Sequence, residues 1–408
     1  MTSAGTIYLD NHSTTRLDPR VLEAMLPWLT DHYGNAGSVT HELGREARAA
    51  VEEARGTFAA AIGATPREIV FTSGATEATN LALMGVAARI RRLTGGVSRG
   101  HFITLATEHA AVLDPLEHLE REGFSITRLP VARQDDRNEI PGRVRLADLR
   151  RALRPDTTLV SVLVANNEIG VSQDLPPIAA AAHEAGAVVH IDAAQALGRM
   201  PIDVDSLGID LASFSGHKIH GPKGSGALYV RRRGQAVRLE SRVFGGGQER
   251  GLRSGTLDVP AIVGLAEAAR LAVVDLAAEQ VHLQAMRDRL WAALVRGVPG
   301  IELNGPPLDA RDDRGQPLRL VNNLNVHIPG VDGQTLLATL DAAGLAVSSG
   351  SACASESPRP SHVLAAIGRD DDQARASLRV GVSRFTTPDE VDRAAALIAG
   401  RVAELRAV

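Results

Sequence analysis

Lysine is almost missing from this sequence. Of its 44 Lys+Arg residues only Lys218 and Lys223 are lysine, and both fall in one stretch, DLASFSGHKIHGPKGSGALYV, residues 210–230. Arginine supplies every other basic position. Base composition thins lysine in some genomes, yet these two positions keep it. Arginine stays protonated and cannot form an imine, whereas a lysine amine can become a Schiff-base nucleophile. Cysteine is scarcer still, with the single Cys353 in SSGSACAS. One cysteine excludes an internal disulfide and fits a reducing cytoplasm. With no CxxC or HxxxH spacing, no metal site is expected either. No apolar run is long enough to span a bilayer. The opening MTSAGTIYLD lacks the basic and apolar regions of a secretory signal. A formal net charge of −4 gives neither nucleic acid nor an anionic membrane an electrostatic footing.

What is present is the pattern of a large α/β protein. At 408 residues and 44% hydrophobic content, the chain is long enough for one large domain and a smaller one. Asp18-Pro19 predicts a helix to about Leu29, and a periodic helix spans Arg45 to Ile62. Short apolar strands are expected at 68–72, 101–106, 125–129, 159–165, 188–191, 211–214 and 227–230. Helical segments separate most of them, the pattern of a mostly parallel sheet covered on both faces. A long helical stretch from about Pro260 to Val295 leads into a second α+β region with strands near 323–327 and 345–348. The segment 304–318 is expected to be an exposed loop.

Polar clusters sit at the strand ends: Ser73–Thr76, Glu108–His109, Asn166–Glu168, Asp192–Gln195 and Ser215–Lys218. Ligands of such sheets bind beyond the carboxyl ends of the strands, so the coincidence outweighs any one cluster. SGAT before a helix suits a phosphate, and also an ordinary helix cap. Asp192 reads alone as a cap or ion-pair partner. Beside a Schiff-base lysine, a buried carboxylate would hold a pyridinium nitrogen protonated, with Gln195 placed to donate to the ring oxygen. His109 is either a locally bonded helix-start residue or a catalytic one, a flat imidazole against a flat cofactor that is also available for proton transfer. Arg379 and Arg384 both offer a bidentate clamp for a substrate carboxylate, and local pattern does not separate them. Cys353, among Ser, Ala and Pro, has the setting of an accessible nucleophilic thiol.

With these residues in view, the chain resembles the cysteine desulfurases, within the class V aminotransferase group of fold-type I pyridoxal-phosphate enzymes. The resemblance covers nearly the whole length, through EIVFTSGATEATNLAL, TEHAAVLD, NNEIGVSQD, HIDAAQALGRMPIDV, SGHKIHGPKGSG, GGGQERGLRSGT and SSGSACAS. SGHKIHGPKG with SGSAC is its most specific part. The short stretch from Cys353 to His362 resembles the group serving general iron–sulfur cluster assembly and tRNA thiolation.

The resemblance implies an α/β fold: a large domain, residues 16–262, with a mostly parallel seven-stranded sheet sandwiched by helices. A smaller α+β domain, residues 1–15 and 263–408, would carry the catalytic cysteine. It implies pyridoxal 5'-phosphate held covalently by Lys218, with Asp192 on the pyridine nitrogen and His109 stacked on the ring. Asn167 and Gln195 would lie near the phenolic oxygen, and Ala75, Thr76, Ser215 and His217 would hold the phosphate. Thr256 would reach the phosphate of a second subunit, making a homodimer. Arg379, assisted by Asn167, would anchor the carboxylate of L-cysteine. Sulfur would pass to Cys353 as a persulfide and on to an acceptor protein. Lys223 belongs to the turn after Lys218 and is positional. One departure stands out: LDNHSTT, with His12 and Ser13, where many relatives have LDNNATT or LDYSATT. Competing readings on the same fold are a selenocysteine or cysteine lyase and a class V transaminase; a non-catalytic scaffold is the reading outside enzymes.

Overall fold

A computed structural model describes residues 5–96, 100–349 and 360–407. β1 (Ile7–Tyr8) leads to α1 (Pro19–Thr30) and α2 (Glu42–Ala61). Next come β2 (Ile69–Thr72), α3 (Ala75–Thr94), β3 (His101–Leu105), α4 (Ala110–Arg121) and β4 (Ser125–Leu129). α5 (Leu146–Ala152), β5 (Thr157–Leu163), α6 (Leu175–Glu184), β6 (Val188–Asp192), β7 (Leu211–Ser215) and β8 (Gly226–Val230) follow. α7 (Val259–Val274) and α8 (Leu276–Gly297) precede β9 (Glu302–Leu303), β10 (Asn323–His327), α9 (Gly333–Ala342), β11 (Leu345–Ala346) and β12 (Ser348–Ser349). α10 (His362–Ala366), α11 (Asp371–Arg375), β13 (Ser377–Gly381) and α12 (Pro388–Arg406) end the chain.

The central sheet has seven strands in the order β2-β8-β7-β6-β5-β3-β4. Only β8 opposes its neighbours, and every other adjacent pair is parallel. The mostly parallel sheet read from the alternating pattern is therefore what the chain builds. β3, β7 and β8 are buried along their whole length, as expected where helices cover both faces. On one face Phe58 of α2 and Ile262 and Leu265 of α7 share a core with Phe71 and Phe214 of the sheet. On the other, Leu81 of α3 and Leu116 of α4 share a core with Phe102 and Leu228 of the sheet. A separate core gathers Ile7, Leu9, Leu290, Leu324, Val326, Leu378 and Ile398 around a four-stranded antiparallel sheet, β12-β13-β10-β9. The N-terminal arm belongs to this second core, with β1 parallel to β11.

Two sequence expectations need correction. The helical stretch after Pro260 is two helices, broken at Asp275. There the chain turns, and the Asp275 carboxylate accepts from Arg20 at 3.0 Å. The segment 304–318 is not uniformly exposed: Asn304, Gly305 and Pro306 are buried. Arg319 explains this, because its fully buried guanidinium needs acceptors and takes the carbonyls of Pro306 (2.8 Å) and Ile169 (3.0 Å). β13, α9 and α12 have no counterpart in the sequence reading.

Candidate active site

A cavity of about 440 Å³ opens at the carboxyl ends of the central strands, with walls from the loops after β2, β3, β5, β6 and β7. The arm residues 12–14 and Arg379 of β13 close it from the second core.

Lys218 lines it from a single 3-10 turn, Gly216–Lys218, that leaves β7 directly. The turn requires glycine at its head, since a Cβ on Gly216 would meet Ser225 Oγ at 2.4 Å and the Pro222 carbonyl at 2.9 Å. Lys218 Nζ donates to the carbonyls of His12 (2.6 Å) and Ser13 (2.7 Å). The amine is thus held by main-chain dipoles at the boundary between the two cores.

Asp192 ends β6 and is almost wholly enclosed; its Oδ1 accepts from the Ala194 amide at 2.9 Å. Burial raises its pKa, against the pull of His109, the Ala194 N–H and Lys218. Gln195 follows in a turn, and both Asp192 and Gln195 line the cavity. His109 takes the locally bonded helix-start position its sequence allowed and also lines the cavity. Its Nδ1 accepts from the Ala111 amide at 3.1 Å, capping α4, and its ring lines the cavity. Glu108, beside it, accepts from the Leu163 amide at 2.7 Å. Burial pushes the Glu108 carboxyl well above the usual carboxylate range; the Leu163 N–H opposes this and nearby Asp192 adds to it.

The opposite end of the cavity is the start of α3. Gly74 takes the N-cap with φ 150°, a conformation that favours glycine, and a Cβ there would meet no atom within 4 Å. Gly226 lets β8 approach it closely, because a Cβ on Gly226 would lie 2.5 Å from Gly74 Cα. Ala75, Thr76, Ser215 and His217 line this end. Burial, then Lys218 and Lys223, lowers the His217 imidazole to about 4, and its Nδ1 lies 3.1 Å from Thr14 Oγ1. Lys223 reaches the rim from an exposed position. Thr256 is exposed and does not line this cavity.

Arg379 and Asn167 form the wall on the side of the second core. The guanidinium donates to the Asn167 carbonyl (3.1 Å), Asp10 Oδ1 (2.9 Å) and Ser13 Oγ (2.8 Å). Arg384 points elsewhere, into Asp18 (2.9 Å) and Glu279 (2.5 Å), and does not line the cavity. Cys353 lies outside the described residues. The sequence reading did not assign tasks to His12, Ser13 and Thr14, which line the cavity. Their signal was the unusual HS pair within LDNHSTT.

The class-V aminotransferase family model matches residues 7–394. The cysteine desulfurase IscS of Neisseria meningitidis serogroup A is 48% identical over 409 residues, covering 100% of this chain and 94% of the relative. A mouse cysteine desulfurase is 45% identical over 400 residues, covering 98% of this chain and 82% of the relative. Among solved structures, a NifS-like protein superposes with a TM-score of 0.85 at 36% identity, covering 98% of this chain and 100% of that one. SspA in complex with cysteine gives a TM-score of 0.75 at 34% identity, over 94% of this chain and 100% of that one. Family model, full-length relatives and cavity geometry converge on one statement: the chain belongs to the class-V aminotransferase family.

Proposed function

We propose that this protein is a pyridoxal-phosphate-dependent cysteine desulfurase, converting L-cysteine to L-alanine and passing the sulfur to Cys353 as a persulfide. One observation carries the reading: Lys218, Asp192, His109 and Arg379 share a single cavity of about 440 Å³. The donor set fits the cofactor. The start of α3, with Thr76, Ser215 and His217, suits a phosphate. A cationic N–H beside Asp192 would stabilise the carboxylate that burial otherwise disfavours. His109 offers a flat face, and Lys218 the amine for covalent attachment.

Bound pyridoxal phosphate supplies an electron sink for the substrate α-carbon. Arg379 pairs with the substrate carboxylate, held at its post by Asp10, Ser13 and the Asn167 carbonyl. Lys218 Nζ takes the proton from the substrate α-carbon. The Cys353 thiolate then attacks the substrate sulfur. A sulfur–sulfur bond forms, the carbon–sulfur bond breaks, and the electron pair stays on the β-carbon, which is protonated; the α-carbon then regains a proton from Lys218 Nζ to give alanine. L-Cysteine and one thiol become alanine and one persulfide, so no external oxidant is needed.

A persulfide is a transferable form of sulfur, so the next partner is an acceptor protein for iron–sulfur clusters or thiolation. Thr256, exposed on its own subunit, is assigned to the phosphate site of a second copy in a homodimer. The large domain is taken as 16–262 and the small one as 1–15 with 263–408. Among the described residues no helix is long and apolar enough to cross a membrane. The single thiol suits the cytoplasm, the compartment assigned.

Mass spectrometry after incubation with L-cysteine tests the reading. One added sulfur on Cys353, with alanine released, is the expected outcome. A clean thiol under turnover, or pyruvate as the main product, would overturn it.

A further inference from the structure

His12 has no task in the reaction above, yet it is built into the cavity wall with unusual definition. It is 1% exposed, and burial lowers its imidazole to about 3, with Arg379, Arg199 and Lys218 facing it and adding to that effect. The ring is neutral, so one nitrogen donates and the other accepts. Its neighbours say which. Asn323 Nδ2 lies 2.9 Å from the Glu168 carbonyl, which can only accept, so that end of the amide is the NH2 group. The same NH2 lies 3.2 Å from His12 Nε2 and donates to it, leaving the ring hydrogen on Nδ1.

The other side repeats the logic. Gln195 Nε2 donates to the His12 carbonyl at 2.9 Å, again an obligate acceptor. Gln195 Oε1 is thereby turned to His12 Nδ1, 3.2 Å away, where it meets the hydrogen the first argument put there. Two main-chain carbonyls, approached from opposite sides, demand the same tautomer. Space for the ring is reserved as well: a Cβ on Gly381 would come within 2.7 Å of His12 Cδ2.

Gln195 lines the cavity, and His12 occupies its Oε1 and one of its two N–H groups. The second N–H is what the amide can offer to a ligand. Resting on the cofactor assigned above, we infer that His12 is a positioning residue: it locks the Gln195 amide in the orientation that donates to the oxygen substituent of the pyridoxal ring. Without the Nδ1–H the amide keeps only its bond to the His12 carbonyl, which every substitution preserves, and its second N–H is no longer aimed at the ring oxygen by two contacts.

The test is the visible absorbance of protein loaded with pyridoxal phosphate, titrated with pH. A donor on the ring oxygen draws charge from the chromophore and lowers its proton affinity. His12→Ala is therefore expected to raise the titration midpoint by about one pH unit, roughly tenfold in proton affinity. His12→Asn, whose side-chain NH2 replaces the Nδ1 donor, restores the wild-type midpoint. In a Gln195→Met background His12→Ala adds no further shift, because the path through Gln195 is gone. Should His12→Ala fail to fold, His12→Phe fills the volume without the donor and takes its place. A folded, loaded variant with the wild-type midpoint overturns the inference, as does an equal shift in the Gln195→Met background. If wild-type protein develops no visible band with the cofactor, the cofactor assignment itself fails, a result distinct from an unshifted band in the variant.

Discussion

Arg379 and Arg384 are near neighbours in SLRVGVSRF, Arg379 buried and Arg384 partly exposed, and both pair with carboxylates of the N-terminal segment, yet they serve different regions. Arg384 is neutralised by protein: Asp18 and Glu279 contact it directly, and Asp275 stands 3.7 Å away. Glu279 also takes Arg199 at 2.8 Å, so this cluster joins α8 to the large sheet's core. Arg379 has one carboxylate, Asp10, supplemented by a hydroxyl and a main-chain carbonyl. The first arrangement is neutralised by its own carboxylates. The second has room for one more anion, on the cavity side. A buried cation with an incomplete shell marks a binding site better than burial or sequence setting does.

The strongest way to test that distinction is to open the closed cluster. Glu279→Ala leaves Arg199 buried without its carboxylate and Arg384 with Asp18 alone in direct contact, and we expect a stability loss of about 3–5 kcal/mol. Denaturant unfolding of wild type and variant measures it. A loss under about 1 kcal/mol would mean the cluster relaxes or admits water, and the contrast with Arg379 would weaken.

Arg379→Ala probes the other side. It should remove a charge-assisted contact to the substrate carboxylate, about 2–3 kcal/mol, or roughly 30- to 150-fold in kcat/KM for L-cysteine. Unfolding stability should change less than in Glu279→Ala, because Asp10 is 18% exposed and recovers water when its partner goes. An equal loss of stability in the two variants would erase the distinction.

Much of this architecture is legible in the sequence, and the boundary of legibility is physical. Strand and helix alternate from Ile69 to Asp192 because most of these strands are short, apolar and followed by a crossover, so period and punctuation carry the topology. Lysine scarcity singled out Lys218 and Lys223, and the strand-end position of SGHK favoured Lys218. What stays illegible depends on distant pairing. Nothing local separates Arg379 from Arg384, since their deciding partners, Asp10 and Asp18, lie 369 and 366 residues away in sequence. His12 likewise gains meaning only when Asn323, 311 residues on, and Gln195, 183 on, are brought to its two ring nitrogens.

Ser13 offers the finest cut at the comparison. Its Oγ accepts from Arg379 NH2 at 2.8 Å, while the same nitrogen also reaches Asp10 Oδ1 at 2.9 Å. Ser13→Ala deletes the neutral acceptor and keeps the ionic one, so Arg379 stays paired but less restrained. We expect a cost of about 1 kcal/mol, roughly a fivefold rise in KM for L-cysteine with kcat within about twofold of wild type. The Ser13 carbonyl, which receives Lys218 Nζ at 2.7 Å, is untouched by the change, so proton transfer at the α-carbon should persist. A fall in kcat at constant KM would place the Ser13 side chain in the service of Lys218. An unchanged KM would mean that Asp10 alone sets the guanidinium. Only the KM effect fits a half-open shell around Arg379 that the substrate carboxylate completes.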